Sequence, residues 1–191
     1  MAKNRNARSS PLRMDRDAAE YPEILRSRLG ADAPAALVLL GNENLLKSRK
    51  TALFCSASTP GDAILRAHDA ARRMRDEGET VISGFHSPIE EECLRILLRG
   101  KQPLVVCPAR AIEALRVPPQ LRDALGAGRI LYLSPFVERP TRITRESSIR
   151  RNEVVAALAD DAYIAHVSPG GMTAKLAQSL ASWGIPTAFS S

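Results

Sequence analysis

Two adjacent arginines, Arg150 and Arg151, stand at the head of a stretch whose residue types suit one kind of chemistry. In SSIRRNEVVAALADDAYIAHVSPGGMTAKL the basic pair leads into an apolar helical pattern and then a strand. Ser168, Gly170, Gly171 and Thr173 follow at the start of another helix. Arginine near a helix N-terminus opposes the peptide dipoles, at a cost of about 0.3–1 kcal/mol. An anion bound at the same place removes that cost. Guanidinium groups beside glycine-flanked amides and small hydroxyls are suited to holding a phosphate.

With a helix over about Ser147 to Ala159, Arg151, Val154, Val155 and Leu158 recur at i, i+3, i+4 and i+7. Arg151 then lies on the core-facing stripe at the helix end nearest the strand termini. Arg150 and Asn152 flank it. Two readings of Arg151 stand side by side: a structural ion pair with Glu146, Glu153 or another nearby carboxylate, or a phosphate contact. Arg139, Arg142 and Arg145 extend the positive track through the preceding loop, which otherwise reads as a solvated charge run.

The elements that must position these groups alternate regularly. Short aliphatic strands begin at Thr51 (TALFCSA) and continue as ETVISG, PLVVCP, RILYLSPF, AYIAHV and IPTAFSS, with helical patterns between them. Such alternation predicts an α/β fold, a doubly wound and mostly parallel sheet with helices on both faces. Ser87, Pro88 and Glu90 form a capping-box signature at the start of PIEEECLRILLRG. Residues 1–19 read as a basic arm without order of its own, and residues 20–191 as one domain.

Ligands of such sheets bind beyond the carboxyl ends of the strands. Three strand-to-helix junctions there are small and polar: CSASTPG with Ser56, Ser58, Thr59 and Gly61; SGFHSP with Ser83, Gly84, His86 and Ser87; and HVSPGG. Three such loops in one sheet predict an anion-binding crevice.

Composition narrows the partners. The chain has 191 residues, a net charge of +6 and 4% aromatic residues. The charge favours anionic partners. The scarcity of aromatics counts against a surface of stacking platforms for single strands. Cys55, Cys93 and Cys107 have no metal-ligand spacing and read as reduced core thiols of a cytoplasmic protein. No apolar run approaches a membrane span. No cofactor and no metal are expected. Cysteine–histidine catalysis through His86 would need direct contact with a thiolate, and His68 reads as a packing residue. His166, closing a strand, suits a phosphate contact or a structural hydrogen bond.

The order of motifs resembles the DprA/Smf DNA-processing family over about Glu20 to Phe189. YPEILRSRLG with LLGNENLLKSRKTALFCSASTPG is similar to the family's entry segment, and ETVISGFHSPIEEECLRILLRG to its Val-Ser-Gly stretch. SSIRRNEVVAALADDAYIAHVSPGGMTAKLAQ is similar to its Arg-Asn-Arg helix and Ser-Gly-Ser-x-x-Thr-Ala helix start, and GIPTAF to its last strand. The resemblance implies an extended Rossmann-like domain that binds single-stranded DNA, helps load a RecA-type recombinase in natural transformation, and forms homodimers. It implies a DNA-facing pocket of Arg151 and Asn152 with Ser83, Gly84, Gly170, Gly171 and Thr173. It extends to the Rossmann-like domain, without the helical and winged-helix domains that many members append.

Three positions depart from the pattern: Cys55-Ser56-Ala57 replaces Gly-Ser-Arg, Glu90 replaces Asp, and Glu153 stands where a second arginine is usual. The first and third make the pocket less positive, so a ligand as small as a nucleotide is the alternative occupant. An enzymatic alternative is a lysine-decarboxylase-like phosphoribohydrolase acting on nucleoside monophosphates. Pro169-Gly170-Gly171-Met172-Thr173 is one glycine short of that group's motif and lacks its glutamate, which favours a binding protein over an enzyme.

Overall fold

Aliphatic runs of three to six residues form the sheet, and all but the first and last are largely buried on both faces. The computed structural model describes residues 10–56, 59–137, 143–168 and 170–189. In chain order the elements are β1 (Leu12–Asp15), α1 (Glu23–Leu29), β2 (Ala36–Gly41), β3 (Thr51–Phe54), α2 (Gly61–Asp76), β4 (Val81–Ser83) and α3 (Pro88–Leu98). They continue with β5 (Leu104–Val106), α4 (Pro119–Gly126), β6 (Ile130–Ser134), α5 (Arg145–Leu158), β7 (Asp161–Ile164), α6 (Met172–Ser182) and β8 (Thr187–Phe189).

The eight strands form one sheet in the order β1-β2-β6-β5-β4-β3-β7-β8. From β6 to β8 all neighbours are parallel, whereas β1–β2 and β2–β6 are antiparallel. The chain winds outward from β3 in both directions, so the topological switch lies between β3 and β7. One core layer under α1, α5 and α6 includes Leu37, Leu39, Val154, Val155 and Leu180. The opposite layer under α2, α3 and α4 includes Val38, Ala67, Met74, Leu97 and Tyr132. The expected doubly wound α/β architecture is the observed one.

Two local expectations change. Residues 1–9 lie outside the described residues, but Leu12–Asp15, which falls within the expected basic arm, is an edge strand on β2. Met14 points into the core from that strand, which gives the segment a reason to pair. The apolar segment before Gly41 is a strand with all six positions buried. Sequence periodicity does not distinguish a strand buried on both faces from a short buried helix segment.

The helix bearing the arginines also starts earlier than expected. Thr144 caps α5: its hydroxyl accepts from the Ser147 amide at 3.0 Å, while the Ser147 hydroxyl accepts from the Thr144 amide at 2.9 Å. Arg150 and Arg151 therefore sit in the second turn, where the dipole cost has largely decayed. At the other end, Arg28 of α1 donates to the Ala157 and Ala159 carbonyls at 3.0 and 2.7 Å, placing a cation where the dipole favours one.

Candidate anion-binding clefts

At the carboxyl ends of β3, β4 and β7 the structure has a cleft of about 520 Å³. It lies at the switch point, where helices from both faces of the sheet begin. Of the residues expected there from the sequence, Ser56, His86, Ser87, Arg151, Asn152, Ser168, Gly171 and Thr173 line it. Cys55, Glu90, Ser148 and Met172 join them, residues not singled out from the sequence as site residues. Ser148 was legible in principle, lying three residues before Arg151 on the same helical face.

Arg151 is the centre of the arrangement and is 4% exposed. It leaves α5 on one face of the sheet and reaches across the end of β4. Its Nη1 donates to the Cys107 carbonyl at 3.1 Å, and its Nε donates to Asn152 Oδ1 at 2.6 Å. Nη2 has no hydrogen-bonding partner among the described residues. The guanidinium lies directly over Gly84: a Cβ built there would be 1.5 Å from Nη1. Glycine at 84 leaves the room that the guanidinium occupies, and a side chain there would displace it. The structural reading, an ion pair with Glu146 or Glu153, does not hold among the described residues. Glu153 instead pairs with Arg150 at 3.4 Å.

Arg150 turns away from the cleft, donating to the Asp32 carbonyl as well as facing Glu153. Glu153 thus neutralises Arg150 and does not enter the cleft. Ser83, fully buried, donates to the Leu53 carbonyl at 2.8 Å and accepts from the Phe85 amide at 3.3 Å. It ties β4 to β3 and is not available to a ligand. Thr59 closes its own turn on the Ser56 carbonyl, and Gly61 is the first residue of α2. Gly170 stands beside the cleft with φ of 69°, the left-handed region that glycine tolerates. Ser58, Arg139, Arg142 and Pro169 lie outside the described residues.

The main surprise concerns Glu90, which is 7% exposed. Its Oε1 accepts from the Cys55 amide at 3.1 Å. Its Oε2 accepts from the His86 amide at 2.9 Å and the Ser87 amide at 3.4 Å. Amides of the first two polar loops, expected to face an anion, already hold this internal carboxylate. Ser87 completes the capping box by accepting from the Glu90 amide at 3.2 Å. Asp62 occupies the first turn of α2 in a similar way, its carboxyl held below the usual range by Arg66 and then by the Ala63 amide.

Like α2, which begins behind Pro60, α6 has no side-chain cap; its cap position is Gly171. The first amides of a helix without a cap are open donors at the positive end of the dipole. They lie in the same cleft as Arg151. Asn152 connects the two sides, with its Nδ2 2.9 Å from Met172 Sδ.

The thiols nearby are buried. Burial pushes the Cys107 thiol up to about 12, although nearby Arg151 acts in the opposite direction. A hydrogen bond with Cys93, reinforced by burial, raises Cys55 further. All three cysteines are free and buried. The folded protein should therefore resist alkylation by iodoacetamide at pH 8 and react with three equivalents in denaturant, measured by mass spectrometry. Rapid labelling of Cys55 in the folded protein would contradict this. His68 Nε2 lies 2.9 Å from a Glu92 carboxylate oxygen across the α2–α3 contact. No group of three metal-ligating side chains occurs among the described residues, and no helix among them is long and apolar enough to cross a membrane.

Comparison with known proteins places this geometry. The family model described as DNA recombination-mediator protein A matches residues 13–181. The DNA processing protein A of Streptococcus pneumoniae superposes with a TM-score of 0.76 at 17% identity. The alignment covers 95% of this chain, which spans 63% of the length of that protein. DNA processing protein A from Helicobacter pylori, whose structure was described for its single-stranded DNA binding mode, gives a TM-score of 0.71 at 17% identity. There the alignment covers 94% of this chain and 80% of the other. No curated protein sequence matches.

Proposed function

Because the chain belongs to the DNA recombination-mediator protein A family, we propose that it binds single-stranded DNA through phosphates held in the cleft at the β3–β7 switch. The observation that carries this reading is the uncapped N-terminus of α6 in the same cleft as Arg151. A phosphate between them accepts from backbone amides and from a guanidinium at once, the strongest ordinary recognition of that group. Ser168 and Thr173 supply hydroxyls at its edge. Asn152 holds the guanidinium in orientation.

The enzymatic alternative is disfavoured by Glu90. It is the acidic side chain among the residues lining this cleft, and both of its oxygens are engaged by backbone amides. A carboxylate so held acts as a structural cap, with both oxygens already committed to the protein. Family membership and the homologous fold support the finer parts of the reading: loading of a RecA-type recombinase during DNA uptake, and action as a cytoplasmic homodimer.

Fluorescence anisotropy of a labelled oligonucleotide across a salt series tests the proposal. Affinity should fall linearly on a log–log plot, with a slope of about −0.7 for each phosphate neutralised. No binding at low salt sinks the DNA reading. Release of adenine from adenosine monophosphate by the same protein would restore the enzymatic one.

A further inference from the structure

Arg151 is a wall shared by two clefts. On its other side, beyond the ends of β4, β5 and β6, lies a second cleft of about 300 Å³. Its inner surface is apolar, with Leu94, Leu115 and Leu121, and Tyr132 reaches it from β6. Tyr132 is 1% exposed, and its hydroxyl has no hydrogen-bond partner among the described residues. Buried hydroxyls in folded proteins nearly always have one. Burial also pushes this phenol up to about 12, so it remains a neutral donor at any physiological pH.

The rim carries charge. Arg110 and Arg116 line the opening, and neither has an ion-pair partner among the described residues. The acidic group there, Glu91, faces Arg95 of its own helix at 3.8 Å. Apolar walls, a buried hydroxyl without a partner and a cationic mouth are the ordinary composition of a site for a small, flat, anionic ligand, and this volume is at the lower end for such sites.

We propose that this second cleft takes a nucleotide, with an acceptor on the base edge bonded to the Tyr132 hydroxyl and the phosphate directed outward to Arg110 and Arg116. The nucleotide is either free or the neighbour of the one whose phosphate occupies the first cleft. The proposal borrows from the reading above only the class of ligand. It stands on different side chains, with Arg151 as the common wall.

The test uses the whole chain with tyrosine rings labelled for NMR, titrated separately with thymidine monophosphate, adenosine monophosphate, inorganic phosphate and a short oligonucleotide. A mononucleotide should shift the Tyr132 ring signal, and inorganic phosphate should leave it in place. Tyr132→Phe should keep the fold and weaken mononucleotide binding about fivefold to tenfold, the loss of one hydrogen bond. The double variant Arg110→Gln/Arg116→Gln, which changes the rim and not the core, should weaken it as well. An oligonucleotide that moves Tyr132 as a mononucleotide does identifies the strand as a source. Mononucleotide binding without any oligonucleotide binding identifies the free nucleotide and sinks the first-cleft reading alone. Equal mononucleotide affinity in wild type and Tyr132→Phe overturns the proposal. So does an unmoved Tyr132 signal at millimolar mononucleotide, even if the oligonucleotide still binds.

Discussion

Arg151→Ala should weaken binding of a single-stranded oligonucleotide by about 10- to 100-fold at low salt, the loss expected when a charge-assisted hydrogen bond of about 1.5–3 kcal/mol is removed. The salt slope should become shallower by about 0.7. The fold should survive: the Cys107 carbonyl loses a donor, but a buried charge is removed at the same time. Arg151→Lys should recover only part of the affinity. A lysine ammonium cannot reproduce the planar fork that serves Asn152, Cys107 and a ligand together.

Gly84→Ala provides an independent approach to the same group. The added methyl would coincide with the guanidinium, so the arginine must leave its place while remaining in the sequence. If Arg151 acts through its position, Gly84→Ala should lose nearly as much affinity as Arg151→Ala, and the double variant should lose little more than either alone. Anisotropy titrations of the three proteins, with circular dichroism to check folding, decide the matter. Wild-type affinity in a folded Arg151→Ala protein would remove the phosphate from this cleft.

The second large effect is on stability. Glu90→Ala should cost about 3 kcal/mol, because it removes a carboxylate that accepts from backbone amides of two different loops inside the protein. For a chain of this size, that corresponds to a melting temperature lower by about 6–12 °C. Glu90→Gln should fall in between, since its amide group retains one acceptor and directs N–H donors at other donors. The variant also uncovers the Cys55 and His86 amides. Sulfate or phosphate should therefore stabilise Glu90→Ala more than wild type, by occupying the space the carboxylate leaves. A melting temperature within a degree or two of wild type would show that Glu90 is not the tie between these loops.

Much of the architecture is legible in the sequence because its causes are local. Capping is encoded within a few residues, so the Ser87–Glu90 box by itself marks the start of α3. Alternating aliphatic runs and helical stripes predict the parallel sheet, and the i, i+3, i+4, i+7 pattern puts Arg151 on the inward face, where it is buried. The start of α5 is less legible and lies about two residues earlier than the periodicity indicates. Its cap is Thr144 with Ser147, a hydroxyl pair in which a serine takes the place usually given to glutamate or glutamine.

Folding fixes which polar groups are already satisfied. Glu90 reaches Cys55 across 35 residues of chain, and Arg151 reaches Cys107 across 44. No periodicity encodes those partners, because they depend on how the sheet brings distant loops together. Composition makes three polar loops look equivalent. Hydrogen-bond geometry shows that Glu90 occupies amides of two of them, whereas α6, behind the third, begins without a side-chain cap. The same geometry sends Arg150 to Glu153 and leaves Arg151 between two clefts. The sequence by itself determined that an arginine would point inward near the strand ends. Only folding determined what it faces, because satisfaction of a buried polar group is a property of its neighbours in space.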